Sequence, residues 1–280
     1  MPGMLYLVPT PIGNLGDISP RCRKTLAEAD FIAAEDTRVT LKLLNYLEIK
    51  KPLVSYYEHN KKESGPRIIE RILAGETCAL VSDAGSPAIS DPGEDLVALC
   101  ASAGVTVSAI PGPCAAVSAL SISGLPTGRF CFEGFLSTNK KSRQEHLSGL
   151  KNETRTMIFY EAPHKLTRTL ADLSAAFGTD RRISLCRELT KLHEQIVRTT
   201  LGKACAIYDE TPPRGEFVLI VEGAQETVQT AVTLADAVAL ALDEIARGAS
   251  KKDAVRRIAS ETGIAKNVLY DAVLKSSCES

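Results

Sequence analysis

Between residues 4 and 125 the chain repeats one unit, and that repeat limits its fold more than any other feature: a short unbroken apolar run, a loop, then a helix with its cap in place. The runs are Leu5-Tyr6-Leu7-Val8, Phe31-Ile32-Ala33-Ala34, Thr77-Cys78-Ala79-Leu80-Val81 and Val105 to Ile110. They are too short for buried helices and too continuous for strands with one wet face. Strands of this kind alternating with helices predict a parallel α/β sheet covered on both faces. Ser19 reads as an N-cap with Pro20 at N1, and Ser64 as the cap of a helix whose Ile68, Ile69, Ile72 and Leu73 share a face, with Gly75 at C′. Asp91, Pro92 and Glu94 read as N-cap, N1 and N3 of a helix carrying the stripe Leu96, Val97, Leu99, Cys100 and Ala103, closed by Gly104. A small-residue helix over Cys114 to Ser121 follows Pro111-Gly112-Pro113.

Gly124-Leu125-Pro126-Thr127-Gly128 breaks this rhythm and predicts a boundary between an N-terminal α/β domain, 1–124, and a second α/β domain, 129–224. The second set is Phe130-Cys131-Phe132, a helix from about Lys140 to Leu150, the strand Thr156 to Tyr160, a helix from about His164 to Phe177, and strands Ile183 to Cys186 and Glu216 to Val221. A helical tail, 230–280, is expected beyond. Leu234, Val238, Leu242 and Ile245 make an amphipathic helix ended by Gly248, Ser250 and Asp253 start a second, and Gly263 turns into a third.

With 280 residues, 44% hydrophobic and 24% charged, the chain has core enough for two such domains at roughly 150 residues each. The net charge of -1 hides an asymmetry: residues 138–203 hold 13 basic against 7 acidic side chains, while 1–137 and 204–280 are both net acidic. A basic middle stretch can steer a polyanion, or be a solvated face. The eight cysteines form no C-x-x-C pair and mostly lie in apolar runs, which fits reduced thiols. No basic leader with an apolar core opens the sequence, and no run of about 18 uncharged apolar residues occurs. A cytoplasmic protein with no membrane partner is expected.

Several motifs are missing. There is no G-x-x-x-x-G-K-[ST], no G-x-G-x-x-G after the first strand and no G-x-S-x-G, which lowers NTPase, dinucleotide-dehydrogenase and α/β-hydrolase readings together. His193-Glu194 starts an H-E-x-x-H that Val197 breaks, so no metal site is expected. What remains is three Gly- and Pro-rich loops at strand ends: Pro9 to Asp17, Ser82 to Ile89 and Pro111 to Ala115. Open α/β sheets bind ligands at such ends, although each loop alone could be an ordinary turn.

The ordered series V-P-T-P-I-G-N-L-G-D, E-D-T-R, S-D-A-G-S-P-A-I-S-D-P-G, I-P-G-P-C-A, F-Y-E-A-P-H-K and R-E-L-T-K-x-x-E, from Leu5 to about Gly223, resembles the S-adenosylmethionine-dependent tetrapyrrole methylase superfamily. Within it, the series is similar to the branch that methylates the ribose 2′-oxygen of a cytidine in small-subunit (16S) ribosomal RNA. The first loop departs from the superfamily's G-x-G-P-G-D, and Ser86 stands where porphyrin methylases commonly carry an acid; both departures match the RNA branch. The resemblance implies a two-domain methylase fold with a small helical extension, working as a homodimer. It also implies donor-binding roles for Pro11, Ile12, Ala84, Ser86, Ile89, Cys114, Ala115, Tyr160 and Glu161.

A hydroxyl attacking a sulfonium methyl group needs positioning and gains from a proton acceptor. Candidates are Glu35, Asp36, Asp83, Glu188 and Glu194, any of which could instead cap a helix or pair with Arg. Arg187 and Lys191 accompany them, to orient the acceptor or to form ion pairs. Arg38, Lys140, Lys141, Arg143 and Lys165 are candidate RNA-backbone contacts. Tyr56, Tyr57 and Phe135 could stack on unpaired bases, or be core and rim. A porphyrinoid acceptor, and a non-enzymatic RNA-binding assembly factor, are the rival functions.

Overall fold

A computed structural model describes residues 3–225 and 233–278. The chain divides into two compact units, 1–224 and 225–280.

In the first unit, β1 (Met4–Leu7), β2 (Phe31–Ala34), β3 (Leu53–Ser55), β4 (Cys78–Val81) and β5 (Thr106–Ala109) form an all-parallel sheet in the order β3-β2-β4-β1-β5. Alternate residues point to opposite faces. Ile32, Ala34, Ala79 and Val81 pack under α1 (Pro20–Glu28) and α2 (Thr37–Tyr46), while Phe31, Ala33, Cys78 and Leu80 pack under α3 (Lys61–Leu73) and α4 (Gly93–Ser102). Burial on both faces is what the unbroken apolar runs require.

Four details differ from the sequence reading. The helix expected from Ser64 starts at Lys61, so Gly65 and Pro66 lie inside its early turns. Pro66 there gives up one backbone hydrogen bond, while Lys61 ties the helix start to Asp95 of α4 at 2.6 Å. Leu73 is 62% exposed and does not share the buried face of Ile68, Ile69 and Ile72. Asp91 lies one residue before the N-cap Pro92, its Oδ1 accepting from Gly93 N–H and Ala88 N–H. Elements not anticipated are α2 and β3 here, and further on the strand Gln195–Thr200 and the helix Leu201–Glu210.

α5 (Ala115–Ile122) leaves the first sheet after β5 and packs its Ala116, Ala119 and Leu120 on the second sheet. That sheet is mixed, in the order β6-β7-β10-β8-β9, from β6 (Phe130–Phe135), β7 (Thr156–Glu161), β8 (Arg182–Arg187), β9 (Gln195–Thr200) and β10 (Phe217–Val221). β6 and β7 are parallel, and the remaining pairs antiparallel. Its other face is covered by α6 (Lys140–Gly149), α7 (Pro163–Phe177) and α8 (Leu201–Glu210) through Leu147, Leu166, Leu170, Leu173 and Ala204.

The second unit holds α9 (Leu234–Ala246), α10 (Lys251–Thr262) and α11 (Lys266–Cys278) around Ala237, Ala241, Val255, Ile258, Leu269 and Val273. Thr233 and Asp236 form a capping box on α9, Ser250 caps α10, and Gly263 ends α10 at φ 72°. Residues 226–232, which include the expected start of the tail at 230, and the side chain of Cys278 lie outside the described residues. Among those described, seven cysteines are free thiols and no helix is long and apolar enough to cross a membrane.

Candidate active site

Parallel strands direct their C-terminal ends to one edge, and the order β2-β4-β1-β5 makes the turns after these strands neighbours. The turns after β1 and β4 are joined by Thr10 N–H to Gly85 O at 2.9 Å and Gly85 N–H to Thr10 O at 3.0 Å. The Ser86 hydroxyl reaches the turn after β5, donating to Pro113 O at 3.0 Å. Gly85 has φ +86°, and a Cβ there would lie 3.3 Å from Ile12 Cγ2, so the closeness of these turns depends on glycine. The second sheet presents the end of β7, the β8 terminus and the start of β10 at one edge, since Phe217 lies across from both Glu161 and Arg187. The Tyr160 hydroxyl accepts from Ala116 N–H at 3.1 Å, pinning the start of α5 to the second sheet.

Between these edges is a cavity of about 480 Å³. Of the expected donor contacts, Ile12, Ala84, Ser86, Ile89, Cys114, Ala115, Tyr160 and Glu161 line it, and Pro11 does not. Glu161 is committed locally: its carboxylate accepts from Ala162 N–H at 2.8 Å and from the Thr169 hydroxyl at 2.5 Å. Ser90, Asp91, Phe135, Cys186, Leu189 and Glu216 also line the cavity. Sequence reading gave none of these a donor role, because their nearness follows from sheet order and not from local pattern. One sign was available: the same S-D-A-G-S-P-A-I-S-D segment runs on through Ser90 and Asp91.

The candidate bases separate by environment. Glu35 and Asp83 line the cavity; Asp36, Glu188 and Glu194 do not. Burial first, then the Asp83 and Asp91 carboxylates, push Glu35 above its ordinary value, although the Asp83 N–H hydrogen bond pulls the other way. Burial also raises Asp83, whose Oδ1 accepts from Asp36 N–H at 3.1 Å. Asp36 is the N-cap of α2, and the Arg38 guanidinium on its two oxygens, at 3.1 and 2.7 Å, holds it at about 2. Glu188 is lowered by Lys191, 2.8 Å away, and by Glu216 N–H. Lys191 also pairs with Glu216 at 3.0 Å. Against the burial that would lower it, these two carboxylates keep the Lys191 ammonium above its usual value. Glu194 accepts from Thr190 N–H at 2.7 Å, and Arg187 donates to Arg214 O at 2.6 Å. This group therefore shapes the turn after β8, which abuts the cavity through Leu189 and is tied to Glu216 at the start of β10.

Strain collects in the same places. Among the described residues, five non-glycines have positive φ, and four of them, Ala88, Ser90, Glu188 and Thr190, lie in the turns after β4 and β8, each of which contributes to the cavity lining.

The cation set divides as well. Lys140 and Lys141 are exposed on α6, Lys165 is half-buried, and Arg38 is exposed but paired with Asp36. Arg143 contradicts its expected role. It is 3% exposed, with Nε 2.6 Å from Asp172 and Nη1 donating to Ser137 O and Thr138 O, so it braces the turn before α6 and faces no polyanion. Of the aromatic candidates, Tyr56 is 1% exposed core, Tyr57 is partly exposed, and Phe135 is 57% exposed on the cavity rim.

Turns of two sheets meeting in one cleft, with α5 spanning both, are the architecture matched by the family model for tetrapyrrole (corrin/porphyrin) methylases over residues 4–205, and the chain belongs to that family. It is 46% identical to ribosomal RNA small subunit methyltransferase I of Synechocystis sp. over 98% of both chains. The protein of that name from Halalkalibacterium halodurans is 48% identical over 96% of this chain and 94% of its own. In fold it matches the crystal structure of uroporphyrin-III C-methyl transferase from Thermus thermophilus complexed with S-adenyl homocysteine. The TM-score is 0.55 at 18% identity, covering 79% of this chain and 97% of that one.

Proposed function

We propose that this protein is an S-adenosylmethionine-dependent methyltransferase of small-subunit (16S) ribosomal RNA, whose acceptor is the ribose 2′-oxygen of a cytidine. The observation that carries the reading is the cavity to which the turns after β1, β4 and β5 all contribute, in a chain whose relatives of that name match it over nearly their whole length. The cavity suits the donor. Ala84, Gly85, Ser86 and Ala115 keep its wall low, Ile12 and Ile89 offer apolar surface, and Glu35, Asp83 and Asp91 give it the negative potential that a sulfonium and an ammonium need. When bound, the donor supplies a methyl group on a cationic sulfur for in-line displacement.

The chain's own part is to hold the reactants, exclude water and take a proton. Glu35 is the proton acceptor in this reading. It lines the cavity, and burial together with the Asp83 and Asp91 carboxylates raises it, whereas Asp36 and Glu188 are held down by cations and they and Glu194 lie outside the lining. Ile12, Ala84, Ser86, Ile89, Cys114, Ala115, Tyr160 and Glu161 contact the donor, with Pro11 supporting the first turn from outside the lining. Arg187, Lys191 and Glu188 orient the acceptor side through the turn after β8. Lys140, Lys141, Lys165 and Arg38 follow the RNA backbone. The segments 1–124 and 129–224 act as the two walls of the cleft, and the protein works in the cytoplasm as a homodimer. Incubation with methyl-labelled donor and either small ribosomal subunits or naked RNA, followed by nuclease digestion, tests the reading: label on a 2′-O-methylcytidine is expected, and no label on ribose from either substrate would overturn it.

A further inference from the structure

Phe135 ends β6 at the cavity mouth, and simple strand alternation would not put it there. Cys131 packs on the core beneath α6 and α7, and residues 133 and 135 would follow it to that face. The ladder with β7 shifts register instead: Phe132 lies opposite Ile158, but Gly134 lies opposite Phe159 and Phe135 opposite Tyr160. Gly134 takes φ +61° to make the bulge. The extra residue turns Phe135 to the side of Phe132 and Tyr160, with the Phe135 and Tyr160 rings 5.5 Å apart at 60°. Tyr160 is itself fixed by Ala116 N–H and by the edge-on ring of Phe132 at 5.1 Å. Bulges beside active sites commonly re-aim one side chain. Here the result is a phenylalanine braced at its edge and 57% exposed on the cavity.

We propose that Phe135 is the stacking platform for the base of the acceptor nucleotide, an inference that rests on the RNA reading above. A 2′-hydroxyl delivered into the cleft carries its base to the rim, and a base lifted from its neighbours needs a π face to replace the stacking it gave up. Exposed Lys140 and Lys141, which follow Phe135 within six residues at the start of α6, add charge for the adjoining phosphates. The carboxylate wall of Glu35, Asp83 and Asp91 provides no stacking surface.

Steady-state kinetics with the intact protein and small ribosomal subunits, together with calorimetry of S-adenosylhomocysteine binding, test this. Phe135→Ala and Phe135→Leu are each expected to raise KM for the subunit on the order of 10–100-fold, with the Kd for S-adenosylhomocysteine and the thermal midpoint unchanged. Phe135→Trp is expected to restore KM. Equal weakening of S-adenosylhomocysteine binding would place the ring on the donor and overturn the proposal, as would a leucine variant that keeps the wild-type KM, since apolar bulk would then suffice. A wild-type protein that labels no RNA overturns the underlying reading before any variant is compared.

Discussion

Glu35 is held where its charge is costly. Its carboxyl has a folded-state value above the unfolded one, so the contribution of this group to stability is present at low pH and is lost as pH rises through the folded-state value. Glu35→Gln is therefore expected to raise the melting temperature at pH 8 and to lose that advantage towards pH 4, measured by calorimetry across the range. The same change is expected to slow methyl transfer roughly 10²–10⁴-fold. It should also abolish the limb of the pH–rate profile that rises as the wild-type Glu35 deprotonates. Arg143 shows the opposite case, a charge whose work is structural. Arg143→Ala strands Asp172 and two carbonyl groups and is expected to cost about 3 kcal/mol in chemical denaturation. The salt dependence of RNA binding should not move, whereas Lys140→Ala with Lys141→Ala should reduce its slope by about one for each phosphate that is no longer neutralised. In the sequence the two kinds of cation look alike, because a residue's type is visible and its burial is not.

At the level of elements, the parts legible in advance were those with local cause. The strands Leu5, Phe31 and Cys78 begin or join, the cap at Ser19 and the glycines at 75 and 104 were all readable, because an apolar run or a cap needs no distant partner. α2 was missed because its cap, Asp36, also reads as a catalytic acid. β3 has three residues, and β9 is an edge strand whose Arg198 reaches back to Ile122 O and Ser123 O of the α5 terminus. The site was half legible for the same reason. Each turn could be found from its glycines and prolines, but the residues that close the cleft from β8 and β10 depend on pairings between strands far apart in sequence. The turn from Ser82 to Pro92 is held by Asp91, whose Oδ1 takes two backbone N–H groups and so supports the positive φ of Ala88 and Ser90. Asp91→Ala is expected to lower stability by roughly 1–2 kcal/mol, in the range of a missing cap. Donor binding should weaken by about tenfold if the freed turn costs a comparable amount there, as read by titration calorimetry with S-adenosylhomocysteine.

In the first unit Tyr160 has a reach beyond its size, because its hydroxyl ties the start of α5 to the second sheet beside the cavity. Tyr160→Phe keeps the ring and removes the acceptor for Ala116 N–H. A loss of about 1 kcal/mol in unfolding free energy, read by denaturant titration, is expected, together with weaker donor binding, because Ala115 and Tyr160 line the cavity from opposite sides of that bond. The strand order of the second sheet also bears on how the molecule comes into being. β10 is the last strand of that sheet to be synthesised, yet it lies at the centre, between β7 and β8. Until residue 221 has emerged, the nascent chain can pair β6 with β7 and β8 with β9, but the two ribbons face each other with open backbone edges, the arrangement most prone to sticking to other chains. A message cut short before Phe217 would therefore leave an aggregation-prone remnant and not a partly working enzyme.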